Sequence, residues 1–421
     1  MGKLFHPDDP KNFDPVSWTD NVYGGYFGQD DCPKEVKTNG SHGCAVPASL
    51  NHTFPDVETL NAAKGFLEHA AADPSKPFWI GVGFVKPHMP HVFPAKYLSE
   101  VPARGDILLA KHQEPATGIA AQLDWESGAG ANGPTKGNLA NISAPAPIEV
   151  QQDWKQNYYA AAAFSDDMMG ELLTTLKTLG LSDNTLIVMT ADHGWGLGEH
   201  NHWVKYTNWE TDARVPLIVH HPKAPHTWGM HTKSLVEHVD LYPTFAELAG
   251  IAVTADAHES IEGSSYASLF ATGATPSKTV WTNTHNASFT QYPRCGETIN
   301  ADGSPGFQAP IRCASVSKEK FVFMGYSMRT TRWRYTEWAP WNGAKLKPEW
   351  CADPTVKNAL VELYDHEGDS LAAGAVGQKT WDDFENVNVA SQNEDLVKEL
   401  SQRLRAFYAT NEAQRGAAYG A

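Results

Sequence analysis

The sequence predicts an α/β protein: a mostly parallel central sheet flanked by helices, followed by a smaller C-terminal α+β subdomain containing an antiparallel sheet. Three observations predict it. Apolar runs at 77–84, 185–190 and 216–221 read as strands, the first of them buried on both faces. A long amphipathic stretch at 150–179 separates the first two, and strand, helix, strand in that order implies parallel neighbours covered by helices. After about residue 275 the chain turns to short aromatic-rich segments, so a boundary is expected there, with domains 1–274 and 275–421.

Taken in order, residues 1–55 are rich in Pro, Asp, Gly and aromatics without periodicity and read as a long ordered loop region. Glu58–Ala71 has helical spacing at Leu60, Ala63, Phe66 and Leu67. The run Pro77–Phe84 is bounded by Pro and Lys, with Lys86-Pro87-His88-Met89-Pro90 at its end. Residues 115–148 are rich in Gly, Ala, Pro and Asn and read as an exposed insertion. In Val150–Leu179, Tyr159, Ala163, Met169, Leu172, Leu173, Leu176 and Leu179 share one face, and Gly180 occupies the C′ position. Strands follow at Thr185–Thr190 and Pro216–His221, then Leu235–Asp240 as strand and Leu241–Gly250 as helix. Phe321–Met328 and Arg332–Trp338 read as an antiparallel hairpin, Glu362–Asp365 as a short strand, and Leu396–Tyr408 as a closing amphipathic helix.

Composition narrows the function. Hydrophobic residues make up 41% and charged residues 19%, a globular balance. The net charge of −16 argues against a general nucleic-acid binder. It would also repel anionic substrates at long range, but salt screens that field beyond roughly 8–10 Å, so local lysines and histidines govern a site. No run of apolar residues is long enough to span a bilayer, and the opening MGKLFHPDDP lacks the pattern of a signal peptide. The five cysteines show no zinc pattern; Cys32 and Cys44 flank a short polar loop, where a disulfide and two free thiols fit equally. N-x-[ST] triplets at Asn39, Asn51, Asn141 and Asn286 point to glycosylation in a secretory compartment.

The chemistry concentrates in Leu186–Pro216. Asp192 and His193 follow an apolar strand directly, at the carboxyl end where α/β sheets place their functional crevice. A Gly- and His-rich loop then reaches Lys205, long enough to curl back over them. A carboxylate beside an imidazole suits a divalent cation, and a lysine above it suits an anionic ester. His200 and His202 read as loop structure, Glu210 as an anchor for the loop, and Lys86 as a snorkelling or capping residue. Asp166 and Asp167 read as a helix–loop hydrogen bond and its solvated neighbour.

This block, from Leu197 through Pro222, resembles the sulfatase family of the alkaline-phosphatase-like superfamily, in its iduronate-2-sulfatase-like branch. Gly2–Pro7 (GKLFHP), Pro77–Pro90, Tyr158–Leu173, Gln291–Arg294 (QYPR), Met324–Thr330 (MGYSMRT), Arg334–Thr336 and Glu362–Asp365 are similar to segments of that family in the same order. The resemblance implies an alkaline-phosphatase-like fold and hydrolysis of sulfate monoesters, from a sulfated small molecule or glycan, with one calcium ion. It implies Asp192 and His193 as metal ligands and Lys205 against the sulfate. It also implies Lys3 and His6 beside the nucleophile, His88 at the sulfate or leaving group, and a Cys32–Cys44 disulfide. These roles are physically sensible: a lysine offsets transition-state charge, and a histidine can donate a proton. The compartment implied is the secretory pathway, lysosome-like or extracellular.

The sequence departs from the family in one respect. Its nucleophile is a formylglycine made from the cysteine of C-x-[PA]-x-R, and none of the five cysteines here heads that pattern. The chain opens in the middle of the first matching motif, so the first central strand, two metal aspartates and the nucleophile are expected in a missing N-terminal segment, which becomes a partner. One central strand buries apolar side chains that contribute on the order of 10 kcal/mol, against about 5–15 kcal/mol for a whole domain. The chain alone is therefore expected to be weakly stable and inactive. Two other readings stand beside the sulfatase: a metal-dependent phosphoesterase of the same superfamily, and a non-catalytic binder of sulfated glycans.

Overall fold

The computed structural model describes residues 1–4, 18–19, 32–36, 43–114, 145–253, 261–276, 280–295, 298–299, 305–306, 313, 316–355, 360–368 and 384–418. His6, Asn39, Asn141 and most of the 115–148 insertion lie outside them. The chain divides into two compact units. One joins Met1–Leu109 with Ala146–Thr185, and the other joins Ala110–Pro145 with Leu186–Ala421.

In the first unit, strands β1 (Gly43–Val46) and β2 (His91–Pro94) pair in parallel, Gly43 opposite His91 and Val46 opposite Pro94. Helices α1 (Pro55–Ala72) and α2 (Ile148–Thr178) pack with them around Leu60, Phe93, Tyr97, Ala160, Ala161, Phe164 and Met168. Pro55 opens α1 at a position where a missing N–H costs nothing. The left-handed Gly180, φ 72°, follows α2 as its spacing predicts. The buried stripe of α2 runs through Trp154, Ala160, Ala161, Phe164 and Met168, whereas Leu173, expected on the inner face, is exposed.

The run Pro77–Phe84 is not a strand. Its only ladder contact among the described residues is a parallel bridge from Gly83 to Gly2, and Trp79 is 65% exposed. Strand β2, by contrast, forms where no strand was expected. The described sheets are otherwise antiparallel.

In the second unit, β3 (Ile187–Thr190) and β6 (Leu217–His220) pair antiparallel, Ile187 opposite His220 and Thr190 opposite Leu217. A mostly parallel sheet was expected, and this pair departs from it. The residues between them supply no crossover helix: they hold a two-residue ribbon, β4 (Gly196–Leu197) with β5 (Trp203–Val204), and the four-residue helix α3 (Glu210–Ala213), so the chain folds back beside its own strand. Leu235–Asp240 is likewise not a strand. Asp240 accepts the N–H of Glu237 at 2.8 Å in a capping box, which starts a helical turn leading into α4 (Leu241–Leu248).

The C-terminal half of this unit is an antiparallel sheet. Strand β7 (Ser288–Arg294) is followed by the short pair β8 (Thr298–Ile299) and β9 (Pro305–Gly306), which lie apart from the sheet. Strands β10 (Phe323–Arg329), β11 (Trp333–Asn342), β12 (Lys347–Pro348) and β13 (Val361–Asp365) complete it, in the order β12-β11-β10-β7 with β13 on β11. The predicted hairpin is β10–β11, Arg329 opposite Arg334. Period-two alternation divides β10: Met324, Tyr326 and Met328 meet Val397, Leu400 and Leu404 of α5 (Glu394–Ala418). Gly325, Ser327 and Arg329 face the other way, and a Cβ on Gly325 would lie 2.6 Å from the Trp338 ring. No helix among the described residues is long and apolar enough to cross a membrane.

Candidate functional site

Strand β3 ends one residue before Ala191, and the chain then turns through Asp192, His193 and Gly194. Gly194 is required by contact: a Cβ there would lie 2.0 Å from the Thr211 carbonyl oxygen. The Asp192 carboxylate is 60% exposed, and its Oδ1 accepts the His193 N–H at 3.1 Å. His193 Nδ1 lies 2.8 Å from the Gly194 carbonyl oxygen, which makes Nδ1 the protonated nitrogen and Nε2 the acceptor. Lys205 Nζ donates to that Nε2 at 2.9 Å, and Asp192 Oδ2 lies 3.4 Å from the same nitrogen. Trp195 stacks on His193 with ring centroids 6.0 Å apart. The sequence-predicted trio of carboxylate, imidazole and ammonium therefore meets within one hydrogen-bonded group.

The loop that returns Lys205 is strained and clamped. His200, Asn201, Val204 and Tyr206 all have positive φ, at 56°, 56°, 77° and 94°. Such a conformation costs a non-glycine residue on the order of 1–3 kcal/mol and persists only where surroundings over-determine it. Asp212 supplies one clamp: its Oδ2 accepts Thr207 N–H at 3.0 Å and Thr207 Oγ1 at 2.9 Å, and it pairs with buried His202 Nε2 at 3.0 Å. His200 packs on Trp209, ring centroids 4.4 Å apart, and burial lowers its pKa to about 4, keeping it neutral. Both histidines are loop structure, as expected.

Glu210 supplies the second clamp. Its carboxylate is bound by Arg334, by Arg214 at 3.0 Å and by Arg329 at 3.4 Å. Its backbone N–H donates to Glu385 Oε2 at 2.8 Å. Glu385 Oε1 in turn meets Arg334 at 2.5 Å and His366 at 3.1 Å. Burial alone would raise the Glu210 pKa, but the arginines outweigh it and hold the carboxyl well below its usual range. Glu210, His366 and Glu385 offer atoms within 4.8 Å of one another, a metal-like grouping. The guanidiniums of Arg334 and Arg329 already neutralise the two carboxylates, so the cluster anchors the loop and has no call for an ion.

The remaining predicted residues belong to the first unit. Lys3 lies beside the 77–84 run, its N–H donating to Gly83 O at 2.6 Å. His88 is half-buried in a fixed segment. Asp56 accepts the N–H groups of Val85 and Lys86 at 2.8 and 2.9 Å, Ser165 Oγ donates to Lys86 O at 2.7 Å, and His88 Nδ1 lies 2.5 Å from Met89 O. Lys86 is a buried cap, its Nζ donating to Pro90 O at 2.8 Å. Asp166 and Asp167 reverse their expected roles: Asp167 accepts Tyr97 Oη at 2.5 Å, Asp166 is the solvated neighbour, and both are exposed. Cys32–Cys44 is a disulfide, and so is Cys295–Cys313, which sequence reasoning left unpaired. Asn51 and Asn286 stand exposed on turns.

Solved structures share the fold. A phosphonate monoester hydrolase from Silicibacter pomeroyi aligns over 84% of this chain and 60% of its own, with 21% identity and a TM-score of 0.57. A protein solved in complex with its substrate D-glucosamine-2-N,6-O-disulfate aligns over 86% and 70%, with 19% identity and a TM-score of 0.54. The Sulfatase family profile matches residues 11–251, more than half of the chain, and the chain belongs to the sulfatase family. Mouse iduronate 2-sulfatase is 31% identical over an alignment of 291 positions that covers 60% of this chain and 52% of that protein. The human enzyme is 27% identical over an alignment of 401 positions that covers 81% of this chain and 68% of its own length. The chain thus spans about half the length of the mouse relative it matches.

Proposed function

We propose that this chain carries the cation- and sulfate-holding part of a sulfatase site acting on sulfate monoesters of a sulfated sugar. The observation that supports it most is Lys205 folded onto His193 Nε2 at 2.9 Å, with the Asp192 carboxylate 3.4 Å from the same nitrogen. The relatives named for iduronate 2-sulfate and the neighbour solved with a glucosamine disulfate support the substrate class. The mostly parallel central sheet expected of the family, and a boundary near 274 and 275, belong to the same reading.

The donor set fits a divalent ion such as calcium. Asp192 presents an exposed carboxylate, and the Nδ1–H bond to Gly194 leaves the His193 lone pair on Nε2, beside it. Asp192 and His193 would hold the ion, which when bound would neutralise charge on the sulfate oxygens. Lys205 now donates to that same Nε2, so it would yield the lone pair to the ion and turn its permanent positive charge to the ester, from a loop whose backbone is already clamped. Lys3 and His6 are proposed beside the nucleophile position, and His88 as proton donor to the leaving oxygen. The chain contains no C-x-[PA]-x-R, so it is proposed to bind sulfate without turning over its esters. The two disulfides support an oxidising, secretory compartment, with Asn39, Asn51, Asn141 and Asn286 as glycosylation sites.

A phosphoesterase is the second reading, favoured by the phosphonate monoester hydrolase neighbour. Both are tested on the full chain with calcium present. Sulfate is expected to bind more tightly than phosphate, with affinity lost in Lys205→Met and Asp192→Asn, and neither ester is expected to turn over. Tighter phosphate binding or phosphate-ester turnover favours the second reading. Sulfate-ester turnover overturns the assignment of this chain as binding without catalysis.

A further inference from the structure

The QYPR motif, Gln291–Arg294, plays no part in the chemistry above, yet its arginine reaches the loop that carries Lys205. Arg294 closes β7 and is 2% exposed. Its guanidinium lies 5.1 Å from the ring centroid of Tyr292 and 5.1 Å from that of Trp338. Nη1 donates to Pro293 O at 3.1 Å, and Nη2 donates to Tyr206 O at 3.1 Å. The base of this side chain is fixed too: Val322 N–H donates to Arg294 O at 2.9 Å, and the next residue, Cys295, is cross-linked to Cys313.

The receiving carbonyl belongs to a residue that needs holding. Val204 and Tyr206, with φ of 77° and 94°, stand on either side of Lys205 in the left-handed region. Neither a β-branched nor an aromatic residue adopts that conformation readily, so contacts from outside the turn must fix it. Tyr206 receives two from β7, the Arg294 hydrogen bond and a ring contact with Tyr292 at 5.6 Å.

We infer that Arg294 is a positioning residue for Lys205: as a strut from β7 it fixes the Tyr206 carbonyl, and with it the turn that delivers the Lys205 ammonium to His193. The inference rests on the reading of Lys205 as the cation that faces sulfate. Lysine cannot replace this arginine, because a point ammonium cannot send two donors in a fixed fork while keeping contact with both rings.

The test uses the full chain and two readouts. Amine footprinting by reductive methylation reports Lys205 directly, and inorganic sulfate titration reports the site. In Arg294→Lys, Lys205 is expected to label about threefold faster or more as its turn opens locally, while exposed Lys223 and Lys318 keep their rates. Sulfate affinity is expected to fall about tenfold. Arg294→Lys combined with Lys205→Met should bind sulfate no more weakly than Lys205→Met alone, because the strut acts through the lysine. Unchanged labelling of Lys205, or additive losses in the double variant, overturns the inference. Faster labelling with no sulfate binding even in the unaltered chain removes the sulfate reading and leaves the strut standing. If Arg294→Lys does not fold, Tyr292→Leu removes one face of the cradle and keeps the charge. A smaller rise in Lys205 labelling then supports the inference, and none overturns it.

Discussion

Two neighbouring stretches of the second unit exchange the roles their compositions predict. The ribbon of β3 and β6 is nearly all apolar, yet none of its eight residues is buried, and Ile218 is 59% exposed. The loop from His200 to Asp212 is full of histidines, carboxylates and an amide-rich turn, yet most of it is buried, with His202 and Trp209 fully so. Apolar sequence earns burial only where another surface covers it, whereas polar sequence is buried wherever each group finds a partner. Asp212, Glu210 and Arg294 provide those partners, and they let a strained loop hold a lysine in one place.

The comparison can be broken at its strongest point first. Glu210→Ala removes the Glu210 carboxylate from buried Arg329 and leaves Arg334 with Glu385 alone, and the expected loss is about 3–5 kcal/mol in chemical denaturation. A loss under about 1 kcal/mol would show that the loop is not held from the C-terminal sheet. Next, replacing Cys295 and Cys313 with serine opens a loop of sequence separation 18. The expected cost is about 3 kcal/mol by loop-closure entropy, read from the shift in denaturation midpoint.

A second glutamate, partly buried, sharpens the contrast with Glu210. Glu237 accepts the Phe289 N–H at 2.8 Å, but burial dominates and, with Asp240 and Glu262 nearby, raises its pKa to about 7. The folded state then holds a proton that the unfolded chain releases near 4.5. Its contribution is fully present below pH 4.5 and is lost as pH rises through about 7. Glu237→Gln is therefore expected to gain about 1–3 kcal/mol relative to the parent chain at pH 8, and no such gain at pH 4. Thermal melts at the two pH values check this; an equal effect at both would contradict it. The smallest effect belongs to the ribbon: Ile218→Thr is expected within about 0.5 kcal/mol of the parent chain, and a larger loss would mean the strand is covered after all.

Much of this was legible in the residues. Helices α1, α2 and α5, the β10–β11 hairpin and β13 follow from periodicity and turn chemistry, and the Asp192, His193 and Lys205 group follows from one strand end and one loop length. Sequence missed what depends on distant partners. The run at 77–84 has the composition of a strand, but its glycines and exposed Trp79 leave it with a single bridge. Leu235–Asp240 reads as a strand in the sequence, but the Glu237 and Asp240 side chains capture backbone N–H groups first. The antiparallel pairing of β3 with β6 follows from the absence of a crossover helix between them, and the sequence alone specified no partner for either strand. Arg294 and Arg334 carried one faint signal, charged residues at inward positions of otherwise aromatic strands, and Glu385, on a bend, carried none. Nothing in the spacing tied them to a loop some 88 to 175 residues away.

The most direct test of the account is a crystal structure of this chain grown with calcium and sulfate. It is expected to show the cation bound by Asp192 and His193, with a sulfate in contact with the Lys205 ammonium. Asp192 and Lys205 pointing to separate regions, or both ions bound only elsewhere, would contradict it.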